Sequence, residues 1–252
     1  MKNTQRVIYA VFLSLTVLML LFNVVYTDDV PSRYVTFGVR FIMVVTVLAL
    51  KKPYREQKLI ALAFVFTAIS DFNFVFVNTF ETVPANSPLF GLLGFLGAYA
   101  CLIATFHRKP QYSRKELFVL LPFVLAFMSL IVVLRQYASG FMLIAAMILG
   151  VILCVTAATM TAALFRGYFS RSAALLIAAA GILMFLGDIL VAFTLFHPDF
   201  DQFILWKDNL IVITYVPAWI LLLDLASRED IYSEEFRMAQ EPTGELINQA
   251  TK

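Results

Sequence analysis

Residues 59–77, LIALAFVFTAISDFNFVFV, form a long apolar run that contains one acid, Asp71. Residues 173–196, AALLIAAAGILMFLGDILVAFTLF, repeat the arrangement around Asp188. Each run is about as long as the 20-residue helix that crosses a hydrocarbon core. An ionisable group at that depth costs at least about 2.5–3.5 kcal/mol on insertion scales, so it marks a proton, ion or substrate site unless a structural partner explains it. These two acids alone sit deep inside long apolar runs, and the fold and the function are both read outward from them.

Composition agrees with a membrane environment. Of 252 residues, 61% are hydrophobic and 14% charged, whereas soluble domains hold about 45–50% apolar and about 25% charged residues. Apolar windows at 7–26, 34–50, 59–79, 88–106, 117–134, 140–165, 173–196 and 204–226 predict eight spans, an all-α polytopic membrane bundle over residues 1–226. The first window has a basic flank but no small-residue cleavage site, so it reads as a retained helix and not a signal peptide. Residues 227–252 read as a polar, acidic-rich cytoplasmic tail, a solvated and partly helical extension.

Several function classes drop out. The net charge of +2 is spread over short loops, which gives nucleic-acid binding no support. Cys101 and Cys154 both lie inside apolar runs, so no disulfide framework or zinc cluster is indicated. His107 and His197 fall at helix ends on opposite sides of the membrane and cannot share a metal. The chain holds no Gly-rich phosphate loop and no serine in a nucleophile elbow. Neither a metal nor an organic cofactor is expected.

Loop charges alternate along the chain. One side carries Lys2 and Arg6, then Lys51, Lys52, Arg55 and Lys58, then Arg108, Lys109, Arg114 and Lys115, then Arg166 and Arg171, then Arg228. The other carries Asp28, Asp29, Glu81, Asp199 and Asp201. The positive-inside rule therefore predicts both termini in the cytoplasm. At about 1.5 Å per residue, Asp71 then lies about 20 Å from the cytoplasmic side and Asp188 about 25 Å, both in the outer half. Arg40 enters from outside and reaches a comparable level. Asp208 is near the outer start of the eighth span, and Tyr215 lies farther down it.

Helical spacing supplies candidate lining groups. Thr67, Asp71 and Asn78 share a face of the third helix, and Gly181 shares the face of Asp188 in the seventh. Gly91, Gly94 and Gly97 recur beside Ala98 and Tyr99 in the fourth, a stripe that lets helix backbones approach closely or gives a ligand room. Arg40 is either a substrate contact or the counter-ion that makes a buried aspartate tolerable. Asp208 can be a binding group or a rim charge, and Tyr215 a site hydroxyl or a packing residue. A faint echo relates the third and seventh helices: Ser70-Asp71 and Gly187-Asp188 are each followed by a phenylalanine, Phe76 and Phe193, as in a parallel four-helix duplication.

From the first helix to about residue 226 the chain resembles the lysoplasmalogenase family of eight-span membrane proteins, the YhhN-like group. The features that carry this are Lys52-Pro53, Ser70-Asp71, Gly94-Phe95 with Ala98-Tyr99, Gly181-x3-Phe185-x2-Gly187-Asp188, and Tyr215 with Ala218. Two positions depart from the pattern: Tyr99 stands where a histidine is expected, and Trp219 where a glutamine is. The resemblance implies hydrolysis of the vinyl ether bond of lysoplasmalogens to a fatty aldehyde and glycerophospho-ethanolamine or -choline. The expected partners are a lysophospholipid substrate and membrane lipid. Short loops lean towards a bacterial inner membrane, and oligomeric state is not readable from the sequence.

That chemistry suits paired carboxyls. Vinyl ethers hydrolyse by protonation of the β-carbon, capture of the oxocarbenium ion by water, and collapse of the hemiacetal. One carboxyl must donate a proton while the other stays ionised, as in glycosidases. Asp71 and Asp188 are the catalytic candidates; Arg40, Thr67, Asn78, Tyr99, Asp208 and Tyr215 are the substrate-binding ones. A proton- or cation-coupled transporter or sensor of a small amphiphile is the alternative, against which no helix shows a Gly/Pro interruption. A non-catalytic lysolipid-binding member of the family is the third reading.

Overall fold

The computed structural model describes residues 3–26, 30–80, 82–84, 86–107, 114–138 and 140–240, the side chains of 141, 142, 201–208, 239 and 240 excepted. Helices α1 (Asn3–Val25), α2 (Val30–Ala49), α3 (Arg55–Asp71), α4 (Ser87–Phe106), α5 (Arg114–Leu134), α6 (Gly140–Ala162), α7 (Arg171–Phe196) and α8 (Ile204–Ser227) precede a short α9 (Glu234–Gln240). Among the described residues, eight segments are long and apolar enough to cross a membrane. In hydrocarbon every backbone N–H and C=O must find a partner within the protein, which a helix provides within itself. The protein is an all-α integral membrane protein.

Burial orders the helices. Well over half of the apolar window of α8 is buried, against less than a quarter for α1 and α5. Helix α8 is thus central, while α5 turns Leu117, Phe118 and Leu125 outward. The Tyr9 hydroxyl donates to Asp224 Oδ2 at 3.0 Å, which puts the start of α1 and the end of α8 at the same end of the bundle. Asp224, near the end of its apolar run, is fully buried and also accepts from Arg228 Nη2 at 2.9 Å.

Glycines bring helix backbones together at two crossings. Along α4, a Cβ added at Gly91 or Gly97 would meet the rings of Phe74 or Phe66, and one at Gly94 would fall 2.8 Å from both Phe66 O and Ser70 N. The Ser70 hydroxyl crosses the same gap to donate to Gly91 O at 2.8 Å. The stripe is therefore a packing surface that seats α3 against α4 backbone to backbone. Between α7 and α8, Gly187 lets the backbone pass Thr214, whose Oγ1 would lie 3.1 Å from an added Cβ. Gly181 packs instead against Met160 of α6.

Helix ends are finished locally. Lys52 Nζ donates to the carbonyls of Val47, Leu48 and Leu50 at 2.8, 3.0 and 2.6 Å, closing the C-terminus of α2. Partial burial lowers the pKa of this ammonium from its ordinary value. Helix α6 stops at Ala162 and not at 165: Ala163, Leu164 and Phe165 bond three residues back in tight turns, and Gly167 then turns the chain at φ 63°.

The polar segment after α8 is not wholly solvated. Ser170 N donates to Ile231 O and Ser233 N to Tyr168 O, at 3.0 and 3.1 Å, so residues 231–233 dock against the α6–α7 turn. Ile231 and Tyr232 are buried, and the Tyr232 hydroxyl donates to the buried carboxylate of Glu56. Burial and that carboxylate both push the Tyr232 pKa upward.

Candidate active site

Helix α3 does not run unbroken through its apolar window. Its α-helical turns end at Asp71, and the chain widens to a π-helical turn over Phe72–Phe76 and tightens to a 3-10 turn over Val77–Thr79. Such π-turns occur frequently at functional sites. The rings of Phe37, Phe72, Phe76 and Phe80 pack around it, Phe72 and Phe76 stacked and the others tilted or edge-on. The Asn73 amide donates to Ile69 O at 2.8 Å, and Ser87 at the start of α4 donates to Asn73 O at 3.1 Å.

The π-turn changes the phase of the helix, and this breaks the expected alignment of Asn78 with Thr67 and Asp71. The Asn78 side chain is exposed and donates to Phe74 O at 2.7 Å, while its carbonyl accepts from Arg33 Nη1 at 3.3 Å. Among the described residues it makes no hydrogen bond to Asp71, Arg40 or Tyr215. The turn holds no Gly or Pro, in keeping with the absence of a Gly/Pro interruption from the sequence, and the chain stays helical through Thr79.

Asp71 is 1% exposed. Its Oδ1 accepts from Arg40 Nη1 at 2.6 Å, a charge-assisted bond that reaches across from α2. The Tyr215 hydroxyl of α8 lies 3.5 Å from Oδ1 and 3.4 Å from Oδ2. The Arg40 guanidinium carbon stands 4.4 Å above the Tyr215 ring, so one phenol presents its face to the cation and its hydroxyl to the anion. Arg40 is thus a counter-ion by geometry, whatever else it touches.

Asp188 has a different setting. It is partly buried, and its Oδ2 accepts from the Tyr99 hydroxyl of α4. Among the described residues it has no cation partner. Among the described residues no hydrogen bond joins this pair to that of Asp71 and Tyr215. The pairing is crossed. Asp71 of the first four helices takes its phenol from α8, and Asp188 of the last four takes its phenol from α4. A nearly equal length of chain separates Asp71 from Tyr99 and Asp188 from Tyr215, in keeping with the internal echo.

A cavity of about 10 Å³ opens beside Asp71. Arg40, Thr67, Asp71, Tyr215 and Trp219 line it together with apolar groups of α2, α3 and α8. Thr67 is buried and donates to Ala63 O at 2.9 Å. Asp188 is not part of this lining. Trp219, one helical turn beyond Tyr215, stands out in the sequence as a departure from the family pattern and not as a site residue. The side chain of Asp208 is outside the described residues. Among the described residues no three His, Cys, Asp or Glu side chains cluster as metal ligands would.

The structure thus brings Arg40, Thr67, Asp71 and Tyr215 together and pairs Tyr99 with Asp188, while Asn78 lies outside both groups. A family model, the YhhN family, matches residues 33–225. No curated protein and no solved structure matches the chain.

Proposed function

The chain belongs to the YhhN family, which is the lysoplasmalogenase family, and from that premise we propose that it hydrolyses the vinyl ether bond of lysoplasmalogens with Asp71 and Asp188 as its catalytic pair. The observation that carries the assignment is the unequal treatment of the two carboxyls. Arg40 compensates a negative charge on Asp71, whereas among the described residues Asp188 meets a phenol and no cation. Asp188 is accordingly the proton donor to the β-carbon, and Asp71 is the carboxylate that stabilises the oxocarbenium ion and takes a proton from water. The steps need no metal or organic cofactor.

Orientation is part of the proposal. With the basic loops in the cytoplasm, as the positive-inside rule requires, both termini are cytoplasmic and the centre lies in the outer half of the bilayer. A single-chain lipid there keeps its tail among apolar helices and its head group near the interface. Tyr99 orients Asp188, and Tyr215 bridges Arg40 and Asp71.

The test is aldehyde release from a lysoplasmalogen by purified protein in detergent. Asp71→Asn and Asp188→Asn should each abolish it while thermal unfolding stays cooperative. Wild-type turnover in both variants would end the assignment. A transporter or sensor of a small amphiphile is the second reading, and the π-turn beside Asp71 is the local irregularity it would use. Uptake of an amphiphile into proteoliposomes without product formation would favour that reading.

A further inference from the structure

Two hydrogen-bond donors at the Asp71 cavity have no acceptor among the described residues: Arg40 Nε and Trp219 Nε1. Trp219 is 3% exposed, and its indole N–H reaches towards the Tyr215 hydroxyl without making a hydrogen bond of good geometry. Buried N–H groups are ordinarily paired, so two on one small cavity call for an explanation. The cavity also presents the Asp71 carboxylate and the Tyr215 hydroxyl. Its volume of about 10 Å³ is near the room one water needs, and a buried water requires two to four polar partners. A phosphate or a glycerol unit does not fit.

We infer that this cavity binds one water molecule, held by Trp219 Nε1 and Arg40 Nε as donors and by Asp71 as acceptor. Resting on the hydrolase reading, it is the water consumed in the reaction. Its oxygen forms the new bond to the oxocarbenium carbon, and one of its protons passes to the Asp71 carboxylate. That proton balances the one Asp188 gave to the β-carbon. The hemiacetal then breaks its bond to the glycerol oxygen, which leaves as an alcohol as its own hydroxyl proton is transferred, and the aldehyde remains. Transfer of a proton from Asp71 to Asp188 resets the pair. No oxidant, reductant or further co-reactant is involved.

Trp206 and Trp219 are the two tryptophans of the chain, so the indole N–H signals of protein labelled with ¹⁵N-tryptophan are readily assigned with Trp206→Phe. The expected result in detergent micelles, with no substrate present, is a cross-peak between the Trp219 N–H and a long-lived water. A Trp219 N–H with no contact to water overturns the site, whether or not the protein is a hydrolase. In the aldehyde assay, Trp219→Phe should lower kcat about tenfold with KM unchanged, the loss of one hydrogen bond made in the transition state. Trp219→His, which keeps a ring N–H, should recover part of the rate. A change confined to KM would overturn the role in turnover. Wild-type protein that releases no aldehyde would refute the hydrolase reading, and the water cross-peak would still decide the site.

Discussion

Replacing Arg40 with methionine keeps the apolar stem and removes the only charge that faces Asp71 among the described residues. The bond is 2.6 Å long, and the Asp71 side chain is 2% exposed. Two unit charges about 4 Å apart attract by about 4 kcal/mol at an effective dielectric constant near 20. Breaking such a buried pair from one side costs about 3–5 kcal/mol, because the remaining charge is left without compensation. Asp71→Asn should cost less, about 2 kcal/mol, since the amide oxygen can still accept from Arg40 Nη1. In the double variant both charges are gone, and the combined loss should fall short of the sum by about 2–3 kcal/mol. Reversible unfolding in mixed micelles, followed by tryptophan fluorescence, measures each corner of this cycle. Losses that add within about 0.5 kcal/mol would refute the pair as an energetic unit. In the aldehyde assay Arg40→Met should lose about 10²-fold in kcat, and full turnover would show that Arg40 does not hold a reacting carboxylate.

Other substitutions probe the frame of the site. Gly94→Ala should destabilise by about 1–3 kcal/mol and lower turnover, because its Cβ would meet the backbone of Phe66 and Ser70. Gly38→Ala, with nothing within 4 Å of the added carbon, is the control and should be neutral or slightly stabilising by thermal shift. Tyr99→Phe should reduce kcat about tenfold by removing the hydrogen bond to Asp188, and Tyr215→Phe should reduce it less, since its contacts to Asp71 are at the long limit of a hydrogen bond. Lys52→Met should cost about 1–2 kcal/mol of stability in the same unfolding assay, through the carbonyls left uncapped on α2, and leave the specific activity of folded protein unchanged.

The eight spans and the two aspartates are legible in the sequence because each rests on a local property, the length of an apolar run or a charge inside one. The depth estimate that put Arg40 near the aspartates rests on the same kind of property, and Arg40 does pair with Asp71. What the sequence hides depends on packing. The π-turn after Asp71, packed about with the rings of Phe37, Phe72, Phe76 and Phe80, is recorded by no periodicity, and it takes Asn78 off the predicted face. The docked segment after α8 is hidden for a related reason. Ile231 and Tyr232 are two buried residues in a polar stretch, and their anchor, Glu56, is distant in sequence. Asp224 looks like a residue at a helix end until Tyr9 and Arg228 close over it.

The exchange of phenols between the two groups of four helices has a mechanical consequence. A hinge that swung one group away from the other would detach both tyrosines from their carboxyls in the same movement. Chain cleavage between α4 and α5 would likewise leave two fragments, each holding an acid without its phenol. Activity in such a split protein would return only on co-assembly of the fragments, as it does for enzymes whose centres straddle a dimer seam.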